Sequence, residues 1–296
     1  MISFTGYTHQ EPISVNIPYR AFYDEELTLA LADSINALVY AIGAARGQDL
    51  SKDPEDLRWM KEFLVGFALL AIGEARSVIM LLSDGLSRHA RVHVRSLFEY
   101  ELRVKLLANN PGRALEFRDS VAYEMRNVGQ ALGSSTELIE AQIAEALGLA
   151  DASKVIGKKE SAAFGGQVRT QMQDEIWPEK RYFGSFAGMS WVSHGSILAI
   201  REIARAVRDR GPDLLRRAGD DGNGNNWLHH AAWILLKLAA TIQEHFAIEV
   251  QGIDAVAARI VAANERLGIV SKAHEAAAAA ALADRGSDRP PSADGP

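Results

Sequence analysis

The stretch that decides the fold is Leu86-Ser87-Arg88-His89-Ala90-Arg91-Val92-His93-Val94-Arg95-Ser96-Leu97-Phe98-Glu99-Tyr100-Glu101-Leu102-Arg103-Val104-Lys105-Leu106-Leu107-Ala108. On a helical wheel Leu86, Ala90, Val94, Leu97, Phe98 and Val104 share one broad face. On the opposite side Val92, Leu102 and Leu106 interleave with Arg95 and Glu99, so the second half of this helix is apolar almost all round. A helix of that kind is enclosed by others. Arg95 and Glu99 are therefore expected to be partly buried, and a spacing of four residues lets them meet. An unpaired charge inside a protein costs on the order of several kcal/mol, so the two either form an ion pair that sets helix register or line a polar pocket.

Working outward, Ser83-Asp84-Gly85 is a tight turn, which sends Leu86–Ala108 back antiparallel to the helix before it. That preceding helix opens at Asp53-Pro54-Glu55-Asp56, with Asp53 as cap and Pro54 in the first turn, and runs to about Leu82. An earlier helix is capped by Asp24 and reaches about Arg46. Downstream, Pro111 opens a helix to about Leu132, and Ser134-Ser135 with Glu137 caps another to about Leu147. Residues 148–180 read as a mixed loop and short-helix insertion. Helix resumes over Gly184–Arg210, weakest at Gly195, then again over Trp227–Val250 after a polar loop from Gly219 to Asn226, and finally over Ile253–Leu267.

The chain thus divides into an extended arm (1–20), a helical domain (21–268) and an alanine-rich helix with a disordered tail (269–296). The expected fold is all-α, a mostly antiparallel multi-helix bundle.

Composition narrows the chemistry. With 296 residues the chain can bury a substantial core, and its 48% hydrophobic and 24% charged residues are globular proportions. It has no cysteine, which removes disulfides, thiolate zinc sites, iron–sulfur clusters and a cysteine nucleophile. Met1–Arg20 lacks the pattern of a secretory signal, and the longest apolar run, Phe63–Gly73, is too short to span a bilayer. A soluble, cytoplasmic protein with no membrane partner is expected. A net charge of −6 gives no global attraction to nucleic acid.

The segment Ala90-Arg91-Val92-His93-Val94-Arg95-Ser96-Leu97-Phe98-Glu99 and a second block, Tyr182 through Met189-Ser190-Trp191-Val192-Ser193-His194-Gly195-Ser196, together resemble a bacterial helical family, domain-of-unknown-function family 5677. The resemblance covers roughly 63–246. It implies a helical domain in which Arg95, Glu99, Ser190 and His194 converge, and it carries no established activity. His89 and His93 depart from it, standing where apolar residues are expected.

Several chemistries can be weighed on these residues. Ser190 and His194, four apart, suit a nucleophile and base with Glu99 orienting the histidine. Against that, Gly188-Met189-Ser190-Trp191-Val192 lacks the closing glycine of a nucleophile elbow. Arg88 and His93 are similar to the R-x-x-x-x-H signature of HEPN ribonucleases, so a metal-independent ribonuclease or toxin component acting on RNA is the alternative; the motif is short enough to arise by chance.

Metal sites read poorly, and neither metal nor cofactor is expected. His89 and His93 have zincin spacing, but Ala90 stands where the glutamate belongs. No Glu-x-x-His pair occurs, His229-His230 diverge around a helix, and Asp221, Asn223 and Asn225 are followed by Asn226 where a calcium loop needs glycine. Gly157-Lys158-Lys159 fails as a phosphate loop, which leaves Arg201, Arg205 and Arg208 as the best basic stripe.

The favoured reading is a polar pocket of Arg95, Glu99, Ser190 and His194 binding a small or nucleotide-like ligand. Arg95 would grip a carboxylate or phosphate and His194 would titrate near neutrality. A third reading is a non-enzymatic module that homo-oligomerises through the alanine-rich face around Ile260.

Overall fold

The computed structural model describes residues 23–147 and 224–268. Among these residues the chain is all-α, with no strand and with seven α-helices: α1 (Glu25–Ala45), α2 (Glu55–Ser83), α3 (Ser87–Asn109), α4 (Arg113–Ala131), α5 (Thr136–Leu147), α6 (Gly224–Phe246) and α7 (Ile253–Leu267). The expected arm, the insertion over 148–180, the helix over Gly184–Arg210 and the C-terminal tail lie outside the described residues.

Local chemistry accounts for most boundaries. Asp24 caps α1 by accepting from the Leu27 N–H at 3.0 Å. Ser135 Oγ accepts from the Leu138 N–H at 3.3 Å at the start of α5. The turn between α2 and α3 needs Gly85 at φ +70°, where the Leu86 N–H closes on the Leu81 carbonyl at 2.7 Å.

Two ends differ from expectation. Pro54, not Asp53, holds the cap position of α2 and makes no side-chain cap bond. The Asp53 N–H closes a short 3-10 turn (Leu50–Lys52) onto Leu50, and its carboxylate accepts instead from Lys61 Nζ at 2.9 Å. Helix α6 is already helical at Gly224, three residues before the expected start, and stops at Phe246, four residues short of Val250. There Ala247 takes a left-handed φ of +49° and Gln243 Oε1 accepts from the Val250 N–H at 2.8 Å, so the chain turns toward α7.

The core forms where α1, α2, α3 and α6 meet. Leu27, Leu31, Ile35 and Leu38 of α1, Met60 and Leu82 of α2, Leu97 of α3 and Leu228 and Leu235 of α6 are each wholly enclosed. Sequential helices α1–α2 and α2–α3 reverse direction, as short loops require. Helix α6 arrives from far along the sequence and runs parallel to α1: the Asp24 N–H donates to Asn225 Oδ1 (2.8 Å) at one end, and Gln48 Nε2 donates to the Phe246 carbonyl (2.5 Å) at the other. It also runs parallel to α3, with Arg91 beside Trp227, Phe98 beside His230 and Glu101 beside Lys237. At the α6 start the chain needs glycine, because a Cβ on Gly224 would sit 2.0 Å from the Tyr23 ring.

Helix α7 lies antiparallel on α1 through Arg259–Asp33 and Arg266–Asp24 ion pairs. It turns Val256, Ile260 and Ala263 inward, so the face around Ile260 packs against the rest of the chain. Phe117 of α4 packs on Phe63 and Phe67, while Ala122, Ile139, Ile143 and Leu147 of α4 and α5 make a separate small core.

Helices α1 and α2 are each long and apolar enough to cross a membrane by length and composition, which the Phe63–Gly73 run alone did not indicate. Within the bundle Leu69, Leu70 and Met80 of α2 face outward.

Candidate functional site

Helix α3 carries an unusual load of charge for a helix enclosed on so many sides, and its two ends deal with it differently. Arg95 and Glu99 do meet: Nη2 lies 3.2 Å from Oε1, with the side chains 15% and 30% exposed. They form a partly buried pair one turn apart on the same helix. Ser190 and His194 lie outside the described residues, as do Arg201, Arg205 and Arg208.

Arg88 and His93 both lie on α3. Five residues turn a helix so that their directions differ by about 140°. His93 Nδ1 lies 2.5 Å from Glu74 Oε2 on α2, whereas Arg91, three residues after Arg88, stacks its guanidinium 5.6 Å from the centroid of Trp227 on α6.

The most deeply buried charged group among the described residues is one that helical periodicity alone did not single out. Glu101, 1% exposed, lies between two ammonium groups, with Lys105 Nζ and Lys237 Nζ each 3.0 Å from Oε1. Burial would raise its carboxyl, but the two lysines outweigh that and hold it at about 2, so it stays ionised. A signal was present in the sequence: Glu101 falls on the stripe of Val94, Leu97, Phe98 and Val104, with Lys105 four residues on. The contribution of Lys237 was not readable, because nothing local links it to α3.

Alongside lie His229 and His230 at 5.3 Å, with His230 also 5.4 Å from Phe98 and 6.4 Å from Trp227. Burial lowers both imidazoles, to about 3 for His229 and about 4 for His230. The other histidine and Lys237 reinforce this at His229; at His230 Lys237 reinforces it and Glu101 opposes it. Both rings are neutral at physiological pH.

Between α3 and α6 there is thus a polar seam. At one end Arg88, Arg91 and Arg95 follow one another along a face of α3, with Arg91 stacked on Trp227 of α6. At the other end Glu101 balances two lysines. Several buried atoms on these two helices find no hydrogen-bond partner among the described residues: Nε and Nη1 of Arg88, Nε1 of Trp227, Nδ1 of His229 and Oε2 of Glu101. Buried polar groups are satisfied in the great majority of native proteins, so such a concentration marks a place suited to an added polar molecule.

Among the described residues no group of three or more histidines and acidic residues is arranged to hold a metal. No family model, curated protein or solved structure matches this chain.

Proposed function

We propose that the chain binds a small anionic ligand, a carboxylate or a phosphate-bearing compound, in the seam between α3 and α6. The observation that carries this reading is Arg88, whose Nε and Nη1 are buried without an acceptor among the described residues, one helical turn from the Arg91–Trp227 stack. A guanidinium is always charged and presents its donors as a fork that matches two oxygens of an anion. The Trp227 indole adds both a donor and a flat apolar surface. Arg95 flanks the same face, and Ser190 and His194 belong to this proposal through the family resemblance alone. We also place the protein in the cytoplasm, since most of the apolar window of α1 is spent inside the bundle, although less than half of that of α2 is.

The test is thermal-shift screening against inorganic phosphate, pyrophosphate, adenosine monophosphate and succinate, followed by calorimetry on any compound that stabilises. Arg88→Gln should abolish the response while leaving the helical signal intact. If no anion stabilises the protein, or if Arg88→Gln responds as well as the parent, the seam is not the binding site. Full ligand response in Arg95→Ala together with lost stability would assign Arg95 to the structural ion pair only. Chelator-resistant RNA cleavage that disappears in His93→Ala would move the reading to a ribonuclease.

A further inference from the structure

On the side of α3 turned away from the seam, His89 and His93 stand four residues apart in a continuous helix, which puts both imidazoles on one face with Cβ atoms about 5–6 Å apart. His89 is exposed and the His93 side chain is 34% exposed, so both reach solvent. What distinguishes them from an ordinary surface pair is Glu74 on the neighbouring helix. Its Oε2 lies 2.5 Å from His93 Nδ1, and since a carboxylate can only accept there, the tautomer that binds a metal would carry its proton on Nδ1 and its lone pair on Nε2. The Tyr100 hydroxyl donates to the other oxygen, Oε1, at 3.4 Å and restrains the carboxylate from rotating. Burial and then the charge of Glu74 push the Tyr100 phenol up, which keeps it a donor.

We propose that His89 and His93 form a binding site for a borderline divalent transition-metal ion (copper, nickel or zinc), with Glu74 as the carboxylate that orients His93. Zincin spacing is dismissed in the sequence because Ala90 occupies the glutamate position, but here the carboxylate comes from α2 and plays a different role: it fixes a tautomer instead of activating water. With two protein nitrogens the ion keeps open positions for water or a small donor ligand, so the site is exchangeable and Lewis-acidic rather than structural. The neighbouring arginines do not crowd it, since Arg91 turns to Trp227 and Arg95 to Glu99. The site does not depend on the anion-binding reading.

The experiment uses the untagged full chain, stripped with chelator and titrated separately with Cu2+, Ni2+ and Zn2+ by calorimetry, with spectroscopy of the Cu2+ form. One equivalent is expected, Cu2+ binding more tightly than Ni2+ or Zn2+, with two imidazole nitrogens coupled to copper. His89→Ala and His93→Ala should each leave one coupled nitrogen and abolish the Zn2+ equivalent. Glu74→Gln should keep the stoichiometry but weaken affinity about 10–100-fold. Circular dichroism on each variant separates metal loss from misfolding, and exposed His89 is the safest position to alter. Undiminished binding in His89→Ala overturns the site, and undiminished affinity in Glu74→Gln overturns the role given to the carboxylate.

Discussion

At Glu101 a single carboxylate oxygen holds two ammonium groups at 3.0 Å while the residue is almost wholly enclosed. Changing it to glutamine removes the negative charge and leaves Lys105 and Lys237 facing one another. Breaking a buried pair costs about 3–5 kcal/mol, and both lysines keep some access to water, so Glu101→Gln should lose about 3 kcal/mol in urea denaturation. The two imidazoles nearby make a separate prediction. Each titrates at 6.5 in an unfolded chain but at about 3 or about 4 when folded, so the unfolded state takes up protons first as pH falls. Their contribution is complete above pH 6.5 and is lost as pH drops from there toward the folded values. Each group adds a slope of about 1.4 kcal/mol per pH unit inside that window. Glu101 acts in the same direction but lower, from 4.5 down through about 2. Denaturation free energies measured from pH 7 to 4 should therefore fall with acid, and a His229→Gln, His230→Gln double variant should flatten that limb. These residues also mark how far sequence carries. The Arg95–Glu99 pair and the Glu101–Lys105 spacing are local and can be read from helical periodicity, whereas the partners of Glu101 on α6 and of His93 on α2 depend on which helices become neighbours.

Among elements, helix existence follows closely from local signals: Asp24 and Ser135 cap where their side chains predict, and Gly85 makes the hairpin between α2 and α3. The errors arise where a competing bond intervened, at Asp53 through Lys61 and at the end of α6 through Gln243. Contact between α4 and α5 depends on a feature that periodicity does not reveal. A Cβ on Gly129 would lie 2.6 Å from Cγ1 and 2.9 Å from Cδ1 of Ile139, a buried residue of their small shared core. Gly129→Ala should push the helices apart at a cost of about 1–3 kcal/mol, partly offset by about 1 kcal/mol of better helix propensity. Faster amide hydrogen exchange in α5 would report the loss. In an Ile139→Ala background the same glycine substitution should be neutral or stabilising; an equal penalty in both backgrounds would show that the clash is not with Ile139.

For the whole molecule, the class of fold is legible because the second half of α3, apolar almost all round, can only be satisfied by other helices, and α3 is packed by α2 and α6. The parallel placement of α6 against α1 and α3 is not legible, since no short loop dictates it. That placement also sets the order of events at the ribosome. Helix α1 emerges roughly two hundred residues before the segment that must cover it, as the Asp24–Asn225 bond shows by its separation of 201. Until α6 has been synthesised, the apolar faces of α1, α2 and α3 lack their central partner, and contacts so distant in sequence slow folding and invite aggregation. A chain stopped after residue 223 should accordingly bind hydrophobic dyes, associate with holdase chaperones and precipitate when released from them. Supplying residues 224–268 in trans should restore solubility. The nascent chain is therefore expected to need protection from aggregation until α6 has emerged.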